Sequence, residues 1–151
     1  MEYSALDIAR YIICIANRNG DIITNLKLQK LLYYAQAWFL VNSNGKRLFV
    51  DNIEAWQYGP VIPPVYSEFS HFGRSPIEID CDMDTDFSHF TNEVIEYLNE
   101  FCEEFLRFSA TELVGMTHNE RPWLEASAKG LHSVIDVNSM FKYYTEMLQN
   151  G

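Results

Sequence analysis

The chain has 151 residues, 48% hydrophobic and 15% aromatic, which suits one domain with a real core and excludes a disordered chain. Its formal net charge of -10 argues against a large duplex-DNA footprint, because phosphate binding needs clustered Lys and Arg. No apolar run is long enough to span a bilayer, and Glu2, Asp7 and Arg10 interrupt any early apolar stretch, so neither a membrane anchor nor a secretory leader is expected.

Helix signals dominate the chain order. Ser4-Ala5-Leu6-Asp7 resembles a capping box with Asp in the usual Glu place, and predicts a helix to about Asn17, stopped by Asn19-Gly20. That helix is apolar on most faces. Thr24 or Asn25 caps a second helix to about Val41, with Leu28, Leu31, Leu32, Ala35 and Phe39 facing the core. Lys27, Lys30 and Tyr34 form a separate stripe on it, and Asn42 to Gly45 is a turn.

Residues 48–62 form the one convincing extended region, as one or two short strands or an irregular loop. Pro60, Pro63 and Pro64 break any long ladder, and Pro64 suits the first turn of a short helix through Tyr66, Phe69 and Phe72. Pro76 to Asp86 is an acidic connector. A helix from about Thr91 to Phe108 follows, then a capping box at Ser109–Glu112, a turn of helix after Pro122, and a last amphipathic helix carrying Val137, Met140, Phe141, Tyr144 and Leu148. The fold class is mainly α, a single helical domain over residues 1–151 with a short strand element.

The charge is uneven. Met1 to Arg47 holds six basic residues and three acids, whereas Glu78 to Glu104 holds ten acids and no Lys or Arg. The simplest reading of the acidic stretch is a solvated face that keeps the chain soluble. Cys14, Cys81 and Cys102 are odd in number and lack paired spacing, which fits a reducing cytoplasm; Cys14, in an apolar helix, reads as an inert buried thiol.

Catalytic patterns are missing from the sequence: no Gly-x-Ser-x-Gly elbow, Gly-rich phosphate loop or His-Glu-x-x-His. His71, His89, His118 and His132 are far apart and lack ligand spacing. Asp82, Asp84, Asp86 and Glu93 fall at positions of a calcium loop, but Phe87 stands where that loop needs glycine. No metal or cofactor is expected.

What remains is "EAWQYGPVIPPVY", Glu54 to Tyr66, where Trp56, Tyr58 and Tyr66 surround a Gly59-Pro60 step and a proline pair. Prolines remove donors and stiffen the loop, and Trp and Tyr offer large contact area at low entropic cost. The stretch reads either as a preformed docking surface or as a turn whose aromatic side chains plug the core.

The blocks "TNLKLQKLLYYAQAWFL" (Thr24–Leu40), "LFVDNIEAWQYGPVIPPVY" (Leu48–Tyr66) and "LVGMTHNERPW" (Leu113–Trp123) resemble the Panacea domain family, which includes SocA-type antitoxins and phage-associated GepA-type proteins. The resemblance covers the chain from about Ser4 to Tyr144. It implies a mostly helical domain that neutralises a toxin by direct protein contact, with one branch delivering the toxin to a protease. Its motif residues here are Lys27, Gln29, Lys30, Tyr33 and Gln36, then Glu54, Trp56, Gly59, Pro60, Val61 and Tyr66, then Thr117, His118, Pro122 and Trp123.

The partner surface expected from these residues comprises Lys27, Lys30, Tyr34, Trp56, Tyr58, Gly59, Pro60, Val61, His118 and Trp123, facing a cognate toxin. Two rival readings stand beside it. One is an enzyme or metal protein using His118 and Glu120 near Trp123. The other is an operon regulator that binds DNA through the basic first third.

Overall fold

A computed structural model describes residues 3–150. Helix α1 (Ala5–Asn19) starts where Ser4 Oγ accepts the Asp7 N–H at 3.1 Å and ends at Gly20, whose φ of +75° closes the last turn. Helix α2 (Asn25–Asn42) starts in the same way, with Thr24 Oγ1 accepting the Lys27 N–H at 3.2 Å.

The chain then makes a hairpin of β1 (Glu54–Trp56) and β2 (Gly59–Val61), with Trp56 opposite Gly59 across a Gln57-Tyr58 turn. Short helix α3 (Pro63–Glu68) opens on two prolines and continues into a 3₁₀ turn (Ser70–Phe72). A single helical turn, α4 (Cys81–Asp84), lies in the acidic connector. Helices α5 (Asn92–Phe105), α6 (Ala110–His118) and α7 (Arg121–Ala128) follow, and α6 carries the full Ser109/Glu112 capping box, with bonds of 2.9 and 3.1 Å. Strand β3 (Ser133–Val134) adds antiparallel to β1 and makes the sheet order β2-β1-β3. Helix α8 (Val137–Asn150) completes the described residues. The architecture is mainly α, as expected; β3 was not foreseen.

α2 is the axis of the molecule. It touches α1, α3, α5, α6, α8 and β2, and its Leu28, Leu31, Leu32, Tyr33, Ala35 and Leu40 are fully buried. One apolar cluster runs from Tyr3 to Tyr144 around it.

One expectation needs correction. It concerns the cysteines. Cys14 and Cys81 are joined by a disulfide between α1 and α4, with Cα atoms 5.8 Å apart, while Cys102 stays free and buried. The pairing was invisible because 67 residues separate the two sulfurs in sequence. Burial pushes the Cys102 thiol up to about 12. The acidic connector needs no such revision. Its carboxylates serve the local backbone: Asp80 accepts the N–H groups of Asp82 and Met83, and Asp86 accepts that of Ser88. Among the described residues no group of three or more His, Cys, Asp or Glu side chains is placed to hold a metal, and no helix is long and apolar enough to cross a membrane.

Candidate functional site

The polar residues of the second helix from Asn25 to Gln36 do not face water. Lys27, Lys30 and Tyr34 keep only 7%, 0% and 1% of their surface exposed, so the stripe expected on the surface is interior. The reason is topological. α2 is packed on every side, and a polar side chain on a central helix must find its partners inside.

Those partners are mostly loop backbone. Lys27 Nζ donates to Leu106 O at 2.7 Å, at the C-terminal end of α5, where a cation also meets the negative pole of the helix. Gln29 accepts the Ile62 N–H at 2.9 Å and donates to Asn25 Oδ1 at 2.9 Å, while Asn25 donates to Tyr66 O at 3.0 Å. Lys30 Nζ donates to Pro60 O at 3.0 Å. Gln36 donates to Phe49 O at 2.8 Å and accepts the Leu48 N–H at 2.7 Å. Gln29, Lys30 and Gln36 are therefore staples that hold residues 48–66 to α2, while Lys27 ties the end of α5 and Tyr34 reaches Glu120.

A second set of staples comes from the other side. Trp123 Nε1 donates to Trp56 O at 3.1 Å. His118 lies edge-on to Trp123, with ring centres 4.1 Å apart, and both of its nitrogens face carbonyls at 2.7 Å: Nδ1 toward Val114 and Nε2 toward Gln57. Both contacts are hydrogen bonds only when both nitrogens carry protons, and neither nitrogen is left facing open space for a metal. Glu120 turns elsewhere. It accepts the hydroxyls of Tyr34 and Tyr144, the latter at 3.0 Å, and the Tyr144 and Tyr33 hydroxyls lie 3.0 Å apart. Burial pushes the Glu120 carboxyl above its ordinary range, with the two hydroxyl donors pulling it back. His118 and Glu120 thus serve different structural clusters, and nothing favours the metal or acid–base reading.

Gly59, Pro60 and Val61 are buried between these clamps. What the hairpin exposes is its tip, with Tyr58 61% exposed. Beside the tip opens a groove of about 870 Å³, walled by Trp56, Tyr58, Tyr66, Leu26 and Leu131, floored by Val61 and rimmed by Arg74. Trp56 is held in place within it. Its indole N–H donates to Glu54 at 3.0 Å, its ring stacks on His132 at 4.3 Å with planes 15° apart, and Tyr66 leans on it at 5.2 Å. His132 adopts φ +70°, uncommon for a residue with a side chain, and its N–H donates to Ala55 O at 2.7 Å.

Leu26, Arg74, Leu131 and His132 escaped the sequence reading. Leu131 and His132 sit more than seventy positions from Trp56, and no local pattern links them to it. Of the residues expected at a partner surface, Trp56 and Tyr58 line the groove openly, Val61 and Lys30 lie at or beneath its floor, and His118 and Trp123 brace it from behind. A smaller cleft of about 430 Å³ among Trp38, Tyr97, Phe101, Phe105 and Phe108 contains none of the motif residues.

Lys30 has a measurable consequence. Burial lowers its ammonium from 10.5 to about 7. Between those values the unfolded chain binds the proton and the folded chain does not, so the Lys30 contribution to stability grows with pH from about 7 to 10.5 and is lost as pH falls through 7. Urea unfolding at pH 7, 8 and 9 should show wild type gaining stability relative to Lys30→Met, by at most about 1.4 kcal/mol per pH unit. Parallel curves for the two proteins would show that Lys30 does not titrate in this range.

Residues 28–124 match the family model described as Antitoxin SocA-like, Panacea domain. The chain is 37% identical over 111 residues to "Antitoxin SocA" of Caulobacter vibrioides (strain NA1000 / CB15N). That alignment covers 67% of this chain and 58% of the relative, so the chain spans less than two thirds of the relative's length. No solved structure matches it. The matched residues include the α2 staples, the clamped hairpin and the His118–Trp123 brace, and the chain belongs to the SocA-like Panacea domain family.

Proposed function

We propose that this protein is an antitoxin that neutralises a cognate toxin by direct protein–protein binding, and that the groove beside Tyr58 is the contact surface. The observation that carries the reading is the clamped hairpin. Four elements (α2, α6, α7 and β3) and two sets of hydrogen bonds hold a short hairpin in place, yet its tip residue points into solvent beside an aromatic groove. Rigid aromatic side chains around a preformed concavity lose little entropy on binding. Family membership supplies the class of partner, and the name of the Caulobacter relative agrees with it.

The test is a titration of the purified protein with the product of the neighbouring gene. Tyr58→Ala is expected to leave the thermal midpoint within about 2 °C, because an exposed side chain contributes little to folding. It should weaken binding by about 2 kcal/mol if Tyr58 is an anchor. Unchanged affinity would remove Tyr58 from the interface, and a collapsed midpoint would make it structural. Delivery of the bound toxin to a protease, the adaptor role known in one branch of the family, is read from the toxin's half-life in cells with and without this chain.

A further inference from the structure

The groove differs in charge from the molecule that carries it. The chain has 21 acidic residues, but none of the sixteen residues lining the groove is Asp or Glu. Glu54, the acid tied to the Trp56 indole, is not in the lining. Arg74 is exposed at the rim, and among the described residues it has no carboxylate within salt-bridge distance. Beneath the floor lies the fully buried Lys30 Nζ, with the Pro60 carbonyl as its hydrogen-bond partner and likewise no carboxylate partner among the described residues. The walls are apolar and open, with Leu131 64% exposed.

We infer that this groove binds a short segment of the toxin in which carboxylates sit beside large apolar side chains. The inference takes the toxin as the source of the segment from the proposed function; the chemistry of the segment comes from the groove itself. Apolar side chains would cover the exposed faces of Trp56, Tyr66 and Leu131. A carboxylate at the rim would meet Arg74, whose planar guanidinium suits it. The rest of the molecule strengthens the choice. A net charge of -10 repels an acidic segment at most surfaces, so this acid-free concavity is where one is tolerated. Basic segments are drawn instead to the acidic stretch from Glu78 to Glu104, away from the lining.

The probe is a phage-displayed library of random peptides selected on the intact wild-type protein, followed by titration of the enriched peptides. Enriched sequences should combine Asp or Glu with Phe, Trp or Leu, bind more weakly as salt rises, and lose roughly tenfold in affinity to Arg74→Glu and to Tyr58→Ala. Both positions are exposed, so both variants should fold, and circular dichroism verifies it. The same peptides should displace the toxin. Enrichment of basic or uncharged peptides, no enrichment, or affinity indifferent to both variants would overturn the inference.

Two further outcomes separate its failure from that of the antitoxin reading. If the chain rescues growth and both variants rescue equally well, neutralisation uses another surface and the groove is wrongly assigned. If sedimentation shows that wild type dimerises and Arg74→Glu does not, the occupant is the acidic turn around the 81% exposed Met83 of a second copy, and the toxin is not what fills the groove.

Discussion

Replacing Gly59 by alanine should destabilise the protein by about 3 kcal/mol or more, and lower the thermal midpoint by roughly 10 °C. Two causes act together. Gly59 has φ +113°, a conformation that side-chain-bearing residues rarely adopt. A Cβ there would lie 2.8 Å from Lys30 Cε and 2.9 Å from Thr117 Oγ1. Neither neighbour is free to retreat, since Lys30 is fully buried with its ammonium on Pro60 O, and Thr117 is buried with its hydroxyl on Val114 O at 3.0 Å. Gly115, in the middle of α6 with open space around it, is the matched control. There Gly→Ala should stabilise by up to about 1 kcal/mol, because alanine restricts the unfolded chain and favours helix. Denaturant unfolding of both variants checks the pair. A Gly59→Ala loss under about 1 kcal/mol would mean that the hairpin is not clamped as described.

Opening the Cys14–Cys81 bridge should cost about as much. Closing a loop with a sequence separation of 67 corresponds to about 4 kcal/mol on the chain-entropy estimate, and native bridges commonly deliver 2–5. Cys81→Ser is the better variant, since Cys81 is half-buried whereas Cys14 is packed in α1. Its midpoint should fall by roughly 5–15 °C, wild type in reductant should fall to the same value, and Cys81→Ser should not respond to reductant. Thiol titration of denatured protein gives an independent count: the free Cys102 alone without reductant, all three cysteines with it. Equal midpoints with and without reductant would contradict this. Neither bridged cysteine lines the groove, so partner binding should survive reduction while stability falls.

The local parts of this fold were readable from sequence, and the reason is the range of the signals. Ser4, Thr24, Thr91 and Ser109 each cap a helix through a bond to a backbone N–H three residues on, so each announces itself within one turn. Leu28, Leu31 and Leu32 of α2 follow the helical period and are buried as expected. What was missed depends on distant partners. β3 is two residues long and exists only because β1 is beside it. The disulfide joins segments 67 positions apart.

The α2 lysines were misread for a different reason. A lysine on a helix usually marks the wet face. Here Leu26, Leu28, Leu31, Leu32 and Ala35 leave the helix no coherent wet face, and that was the available signal that Lys27, Gln29 and Lys30 had to be satisfied inside. The candidate site was half readable. The aromatic, proline-rich stretch named the hairpin, but Arg74, Leu131 and His132 reach it only through the fold.

Neutralisation of a toxin through the groove at the hairpin tip is read most simply in growing cells. The comparison is the growth of cells expressing the neighbouring gene alone, with this chain, and with its Tyr58→Ala variant. The neighbouring gene should arrest growth, wild type should restore it, and Tyr58→Ala, equally folded and abundant, should fail to. Rescue by Tyr58→Ala as complete as by wild type, or no rescue by wild type at all, would contradict neutralisation through this groove.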